Sequence, residues 1–181
     1  MATKEESLEN RSTQPSDTVA TIARCWRYPE KELVAALDEG LFENERTTNP
    51  TVDQLQQEYT RLFIGPGDPP CHPYESVYRN NGSDASSGQV LGESTKSVVD
   101  WYRRYDLMAD SAWNDLPDHI AVELEFAGYL KETDPNACEA FLNEHPRQWI
   151  DEFLTDVEAH AEIPFYRDLA TVTKQVISAT D

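Results

Sequence analysis

Asp115-Leu116-Pro117-Asp118-His119-Ile120-Ala121-Val122-Glu123-Leu124-Glu125-Phe126 carries the pattern on which the fold turns. Ile120, Leu124, Ala127 and Leu130 recur at helical spacing and give the segment one apolar face. Pro117 suits a first turn, where its missing N–H costs nothing, and the neighbouring acids suit the positive end of the helix dipole. A helix is therefore expected from about Pro117. The same period continues on both sides. Upstream, Val19, Ile22, Ala23 and Trp26 follow an N-cap at Ser16 or Asp17; Leu33, Val34, Leu37 and Leu41 follow Pro29; Val52, Leu55, Tyr59, Leu62 and Phe63 form a third stripe. Val98, Trp101, Tyr102 and Tyr105 form a fourth, from Glu93. Downstream, Asp134-Pro135, Pro146 and Pro164 each restart a stripe, ending with Phe165, Leu169, Val172 and Val176. Period-two alternation is sustained nowhere, so strands have no support. The expected fold is all-α, a single-domain bundle of about seven or eight helices.

The chain has 181 residues, one domain's worth, and its Trp 4, Tyr 8 and Phe 6 supply a core although hydrophobic residues are only 39%. Residues 1–15, polar and ending at Pro15, are expected as a disordered tail, with residues 16–181 as the helical domain. The start lacks the basic-then-apolar order of a secretory signal, and no stretch has the length of apolar residues a membrane span needs, so an unexported protein without a membrane span is expected. A formal charge of −19 disfavours a nucleic-acid backbone as partner. The acids are dispersed and lysine is scarce, which suggests a protein hydrated in concentrated salt, of the kind an extreme halophile makes. At molar salt the Debye length falls to about 3 Å and the self-repulsion is screened. The melting temperature is therefore expected to rise through a KCl series, and a melt indifferent to salt contradicts the reading.

Cys25, Cys71 and Cys138 are odd in number and far apart, with no CxxC pair, so they read as core or loop thiols rather than a zinc or redox site. Cys71-His72 is given no role. Gly65-Pro66-Gly67 lacks the Lys-Ser or Lys-Thr of a phosphate loop. No metal, cofactor or catalytic residue is therefore assigned. Two clusters stand out. Asp118, His119 and Glu123 form a polar patch, His119 and Glu123 lying four apart on one helix face and able to accept hydrogen bonds from a basic peptide. They equally fit a helix N-terminus with a local His–Glu pair. The second cluster is Tyr59, Leu62, Phe63, Tyr74, Glu75, Ser76 and Tyr78, in and beside a long segment from Ile64 to Leu91 with little pattern. Its aromatics and acid suit a groove for an amphipathic segment, while Tyr59, Leu62 and Phe63 also suit a core.

Tyr59-Thr60-Arg61-Leu62-Phe63-Ile64-Gly65, Pro73-Tyr74-Glu75-Ser76-Val77-Tyr78 and Pro117-Asp118-His119-Ile120 with Glu123-Leu124 resemble the TorD/DmsD/NarJ family of redox-enzyme maturation chaperones. Trp26-Arg27-Tyr28-Pro29 and Phe165-Tyr166 suit the same pattern, so the resemblance covers about residues 17 to 176. It implies a TorD-like helical fold and a cytoplasmic, non-enzymatic chaperone. The partner implied is the twin-arginine signal peptide, or the apo form, of a molybdopterin oxidoreductase of the DMSO or TMAO reductase type, held until its cofactor is inserted. The alternative within the family is a NarJ-like assembly chaperone for a nitrate-reductase-type catalytic subunit. The resemblance places peptide binding on the aromatic loop cluster and on Asp118 and His119. A twin-arginine leader joins guanidiniums to an apolar stretch, so Glu75, Asp118 and Glu123 would meet the first and Tyr59, Phe63, Tyr74 and Tyr78 the second. An enzyme with His119 and Glu123 as acid–base pair would instead need a pocket holding a perturbed group. Both a monomer and a dimer that swaps helices through the Ile64–Leu91 segment are compatible with the sequence.

Overall fold

Local chemistry sets the helix boundaries. Asp134 accepts a hydrogen bond from the Ala137 amide at 3.1 Å, and Pro135 fills the first helical position after it. Thr51 and Gln54 form a reciprocal capping box. The computed structural model describes residues 15–41, 49–79, 92–107 and 116–179. Their α-helices are α1 (Pro15–Cys25), α2 (Lys31–Asp38), α3 (Val52–Tyr59), α4 (Glu75–Arg79), α5 (Glu93–Arg104), α6 (Ile120–Thr133), α7 (Pro135–Glu144), α8 (Ile150–His160) and α9 (Pro164–Ser178). A π-helical turn, Thr60–Ile64, continues α3, and a 3₁₀ turn, Pro146–Gln148, links α7 to α8. The only pairing of extended backbone among the described residues is an isolated antiparallel bridge between Tyr74 and His119. The fold is all-α, as the periodicity requires.

Three expectations need adjustment. The helix count exceeds the expected one by α4, five residues too short to show a period. Helix α1 begins at Pro15, so Ser16 and Asp17 lie inside it rather than capping it; the rest of the expected tail, residues 1–14, lies outside the described residues. Helix α6 starts at Ile120, not near Pro117. The Ile120 amide donates to Pro73 O (2.9 Å) and the Glu75 amide to Asp118 O (3.0 Å), so the 118–120 backbone is committed to the bridge and cannot coil sooner.

Helix α6 joins two apolar clusters. Its Ile120, Ala121 and Leu124 enter the larger, around Trp26, Phe153 and Tyr166. Its Val122, Phe126 and Leu130 enter a second with Val98, Trp101 and Phe141. Buried on nearly every side, α6 is the central helix. The larger cluster ties early chain to late chain: Trp26 Nε1 donates to Thr173 Oγ1 at 3.0 Å, and the Tyr166 hydroxyl donates to Leu55 O at 3.2 Å. Among the described residues no helix is long and apolar enough to cross a membrane.

The π-turn ends at Gly65, whose φ of 78° and ψ of 172° belong to a region that residues with a Cβ avoid. A Cβ there would meet Gly67 O at 3.2 Å. Gly65→Ala is expected to destabilise the chain by about 1–3 kcal/mol in urea denaturation, and a variant as stable as the parent contradicts this.

Candidate functional site

Helices α1 and α2, the π-turn and the Pro73-Tyr74 segment enclose a cleft of about 790 Å³. The π-turn carries one residue more per turn than an α-helix, closed by the Gly65 amide donating to Thr60 O at 2.7 Å. Phe63 and Ile64 consequently both line the cleft. An aromatic wall runs from Tyr28 to Tyr59 (5.4 Å between ring centroids) and on to Phe63 (4.9 Å), which packs edge-on against core Trp26. Tyr28 is 49% and Ile64 55% exposed, so both present apolar surface to water at the mouth. The rim is mixed in charge. Exposed Glu30 and Glu32 stand with Arg24 and Arg27, and Arg27 is paired with Glu125 at 2.7 Å.

Behind the Pro73-Tyr74 wall lies a buried polar network. The Ser76 amide donates to Asp118 Oδ2 at 3.0 Å, which seats the start of α4 against the loop before α6. Glu75 is fully buried; it accepts from His145 Nδ1 at 2.9 Å and from Arg79. Trp149 Nε1 donates to Glu123 Oε2 at 3.0 Å. The Glu75 and Glu123 carboxyls face each other within the network closely enough to feel each other's charge. Glu123 Oε1 is buried and has no hydrogen-bond partner among the described residues, an arrangement that costs an ionised carboxylate dearly. Burial and the facing negative charge of Glu75 push Glu123 far above the ordinary carboxylate range. Burial opposes ionisation of Glu75 too, but the bonds from His145 and Arg79 outweigh it and hold Glu75 below that range. The two neighbours are thus pushed in opposite directions, Glu123 toward its protonated form and Glu75 toward its ionised one. Beyond His145, Nε2 meets Ser97 Oγ at 3.2 Å, and Ser97 donates to Glu144 at 3.0 Å.

The two expected clusters are thus one structure with two faces. Tyr59, Phe63 and Tyr74 line the cleft, although Tyr59 and Phe63 are nearly buried. Leu62 is fully buried in the core. Glu75, Ser76, Asp118, His119 and Glu123 are buried and do not line the cleft, so the expectation that these acids face a basic peptide is corrected. The reason is that a carboxylate surrounded by Arg, His, Trp and backbone donors is satisfied from within. The local His119–Glu123 pair is corrected as well: His119 caps α6, its Nδ1 accepting from the Ala121 amide at 3.1 Å, and its ring meets Tyr74 edge-on. Tyr78 stacks on Trp149 and donates to Asp156 at 3.0 Å on the far side of α4. Sequence reasoning missed Tyr28, Ile64, Glu30 and Glu32 at the cleft, and Arg79 and His145 in the network. Tyr28-Pro29-Glu30 at a helix break was the available signal for the first group. The His145–Glu75 contact spans 70 residues and left no local trace. The three cysteines are free and buried, and burial pushes the Cys25 and Cys71 thiols up to about 12.

The family model described as nitrate reductase delta subunit matches residues 24–155, which span both the cleft and the network. The chain belongs to this family. The TorD/DmsD/NarJ resemblance read from the three motifs stands accordingly. The Tat proofreading chaperone DmsD of Salmonella typhimurium is 31% identical over 127 residues, covering 70% of this chain and 60% of that protein. The chaperone protein TorD of Shewanella loihica is 26% identical over 125 residues, 68% of this chain and 59% of that protein. The chain thus spans about 60% of the length of these curated relatives. A crystal structure from Archaeoglobus fulgidus, described as that of a redox enzyme maturation protein, superposes with a TM-score of 0.62 at 27% identity, covering 93% of this chain and 99% of that one.

Proposed function

We propose that this chain is a cytoplasmic chaperone that holds a client molybdopterin oxidoreductase, by its twin-arginine leader or its apo form, until the cofactor is in place, and that it performs no covalent chemistry. The observation that carries the reading is the cleft: an aromatic wall, two exposed apolar side chains at its mouth, and carboxylates Glu30 and Glu32 on its rim. Such a site fits a segment that joins guanidiniums to an apolar run. Relatives bearing the names DmsD and TorD support the same assignment. The chaperone reading is favoured over an enzyme with His119 and Glu123 as acid–base pair because both residues are buried and neither lines the cleft.

Calorimetric titration at molar KCl with a synthetic twin-arginine leader, a twin-lysine version and a leaderless apo-subunit tests this. Tight binding of the arginine leader, weakened by lysine, is the expected result. Binding of the leaderless subunit alone would make the NarJ-like assembly role correct instead, and binding of neither overturns the proposal.

A further inference from the structure

The wall of the cleft has no helix or sheet of its own. Pro73 and Tyr74 hang between the π-turn and α4, fixed by the Pro73 O bond to Ile120 and by the Glu75 and Ser76 amides bonding to Asp118. Next along the chain, the Glu75 side chain is the anchor of α4, and its partners His145 and Glu123 come from distant parts of the fold, with Arg79 alone from α4 itself. We infer that Glu123 and His145 are positioning residues for the cleft: the buried Glu123 carboxyl, held by Trp149 and facing Glu75, with His145 donating to Glu75 from another side, keeps α4 seated and so keeps Pro73 and Tyr74 in place as the cleft wall. The inference deepens the proposed function, although its first test needs no client.

The ionisable groups facing the pair come from every element packed around it. Helix α4 contributes Arg79, the loop before α6 contributes Asp118, and α5 contributes Tyr102, whose hydroxyl donates to Pro117 O at 2.8 Å. The end of α7 contributes His145 and, through Ser97, Glu144; α8 contributes Asp156, which holds Tyr78 on the outer side of α4. Among the described residues Arg79 is the one Arg or Lys that pairs with Glu75, so the facing buried carboxyls of Glu75 and Glu123 cannot both be ionised at low cost. A proton on Glu123 removes the repulsion.

The sign follows from the two directions. Seated α4 keeps the proton on Glu123, whereas a lifted α4 exposes Glu123 to water, where it ionises in the ordinary carboxylate range. Rising pH above that range therefore favours the lifted state. Glu75 has the opposite sign and weakens the seat only when pH falls below that range. Amide hydrogen exchange of the full chain at molar KCl reads the balance without any client. Protection of residues 73–79 in the parent chain is expected to fall by up to about tenfold per pH unit as pH rises above about 5, the signature of one released proton. Glu123→Gln, whose amide is uncharged at every pH while its oxygen still accepts from Trp149, is expected to make the profile flat. His145→Gln is expected to lower protection throughout.

A pH-independent profile in the parent chain overturns the inference, and so does a Glu123→Gln variant as steep as the parent. Should a variant fail to fold, the parent profile decides alone. A second arm measures affinity for the synthetic twin-arginine leader across the same pH range. If that peptide fails to bind while the exchange profile is steep, the proposed client is wrong and the positioning role stands. Where it binds, its affinity is expected to track protection of residues 73–79, and affinity independent of that protection overturns the role in the cleft.

Discussion

Glu75→Ala is expected to lower stability by about 3–5 kcal/mol in chemical denaturation, the range for breaking a buried charge pair from one side. The residue is fully buried, and its removal strands His145 Nδ1 and one arm of Arg79 without their acceptor. A chain of this size loses about 2–4 °C for each kcal/mol, so the melting temperature should fall by about 6–20 °C. Glu75→Gln keeps the shape but not the charge, and a smaller loss is expected from it. For scale, the half-exposed Arg27–Glu125 pair at 2.7 Å is of a type worth only about 0–1 kcal/mol. An alanine variant melting within a degree or two of the parent would mean that water replaces the carboxylate without penalty, and the network would then lose its structural standing.

The second large effect concerns binding rather than stability. Tyr28→Ala combined with Ile64→Ala should weaken the twin-arginine leader by about 30-fold or more, since aromatic anchors at a docking site carry about 2 kcal/mol or more each. Both side chains are about half exposed, so the melting temperature should hardly move. Phe63→Ala gives the useful contrast. Phe63 touches Trp26, Tyr59 and Tyr166, and its truncation should cost about 3–5 kcal/mol of stability. Loss of leader binding there would report a damaged core as much as a damaged cleft. Unchanged affinity in the Tyr28/Ile64 double variant would move the client to another surface.

The helices were legible wherever a stripe was long enough to show its period and a Pro, Asp or Thr marked its start; α7, opened by Asp134-Pro135, is the plainest case. Helix α4 was not, because five residues cannot display a repeat of 3.6 and it is held by Asp118, forty-two residues away. The start of α6 was misplaced for a related reason. Pro117 and the acids are good first-turn residues, yet a bridge to a distant segment claimed their backbone first. At the site, residue identity was easier to read than residue direction. Tyr74 and Glu75 were both singled out, but only the three-dimensional arrangement sends one to the cleft and the other inward. The acids Asp118 and Glu123 resembled a receptor for guanidiniums and instead serve Ser76, Trp149 and Glu75.

The bond from Trp26 to Thr173 reaches across 147 residues, and Phe165, Tyr166 and Leu169 fill the same cluster. During synthesis the turn after α1 therefore has to wait for α9: the Trp26 indole has no hydroxyl to meet until Thr173 has left the ribosome. Contacts of such separation are slow to form and leave greasy surface uncovered meanwhile. The net charge of −19, dispersed along the sequence, then has a task of its own, keeping half-made copies apart until α1 and α9 can pack together.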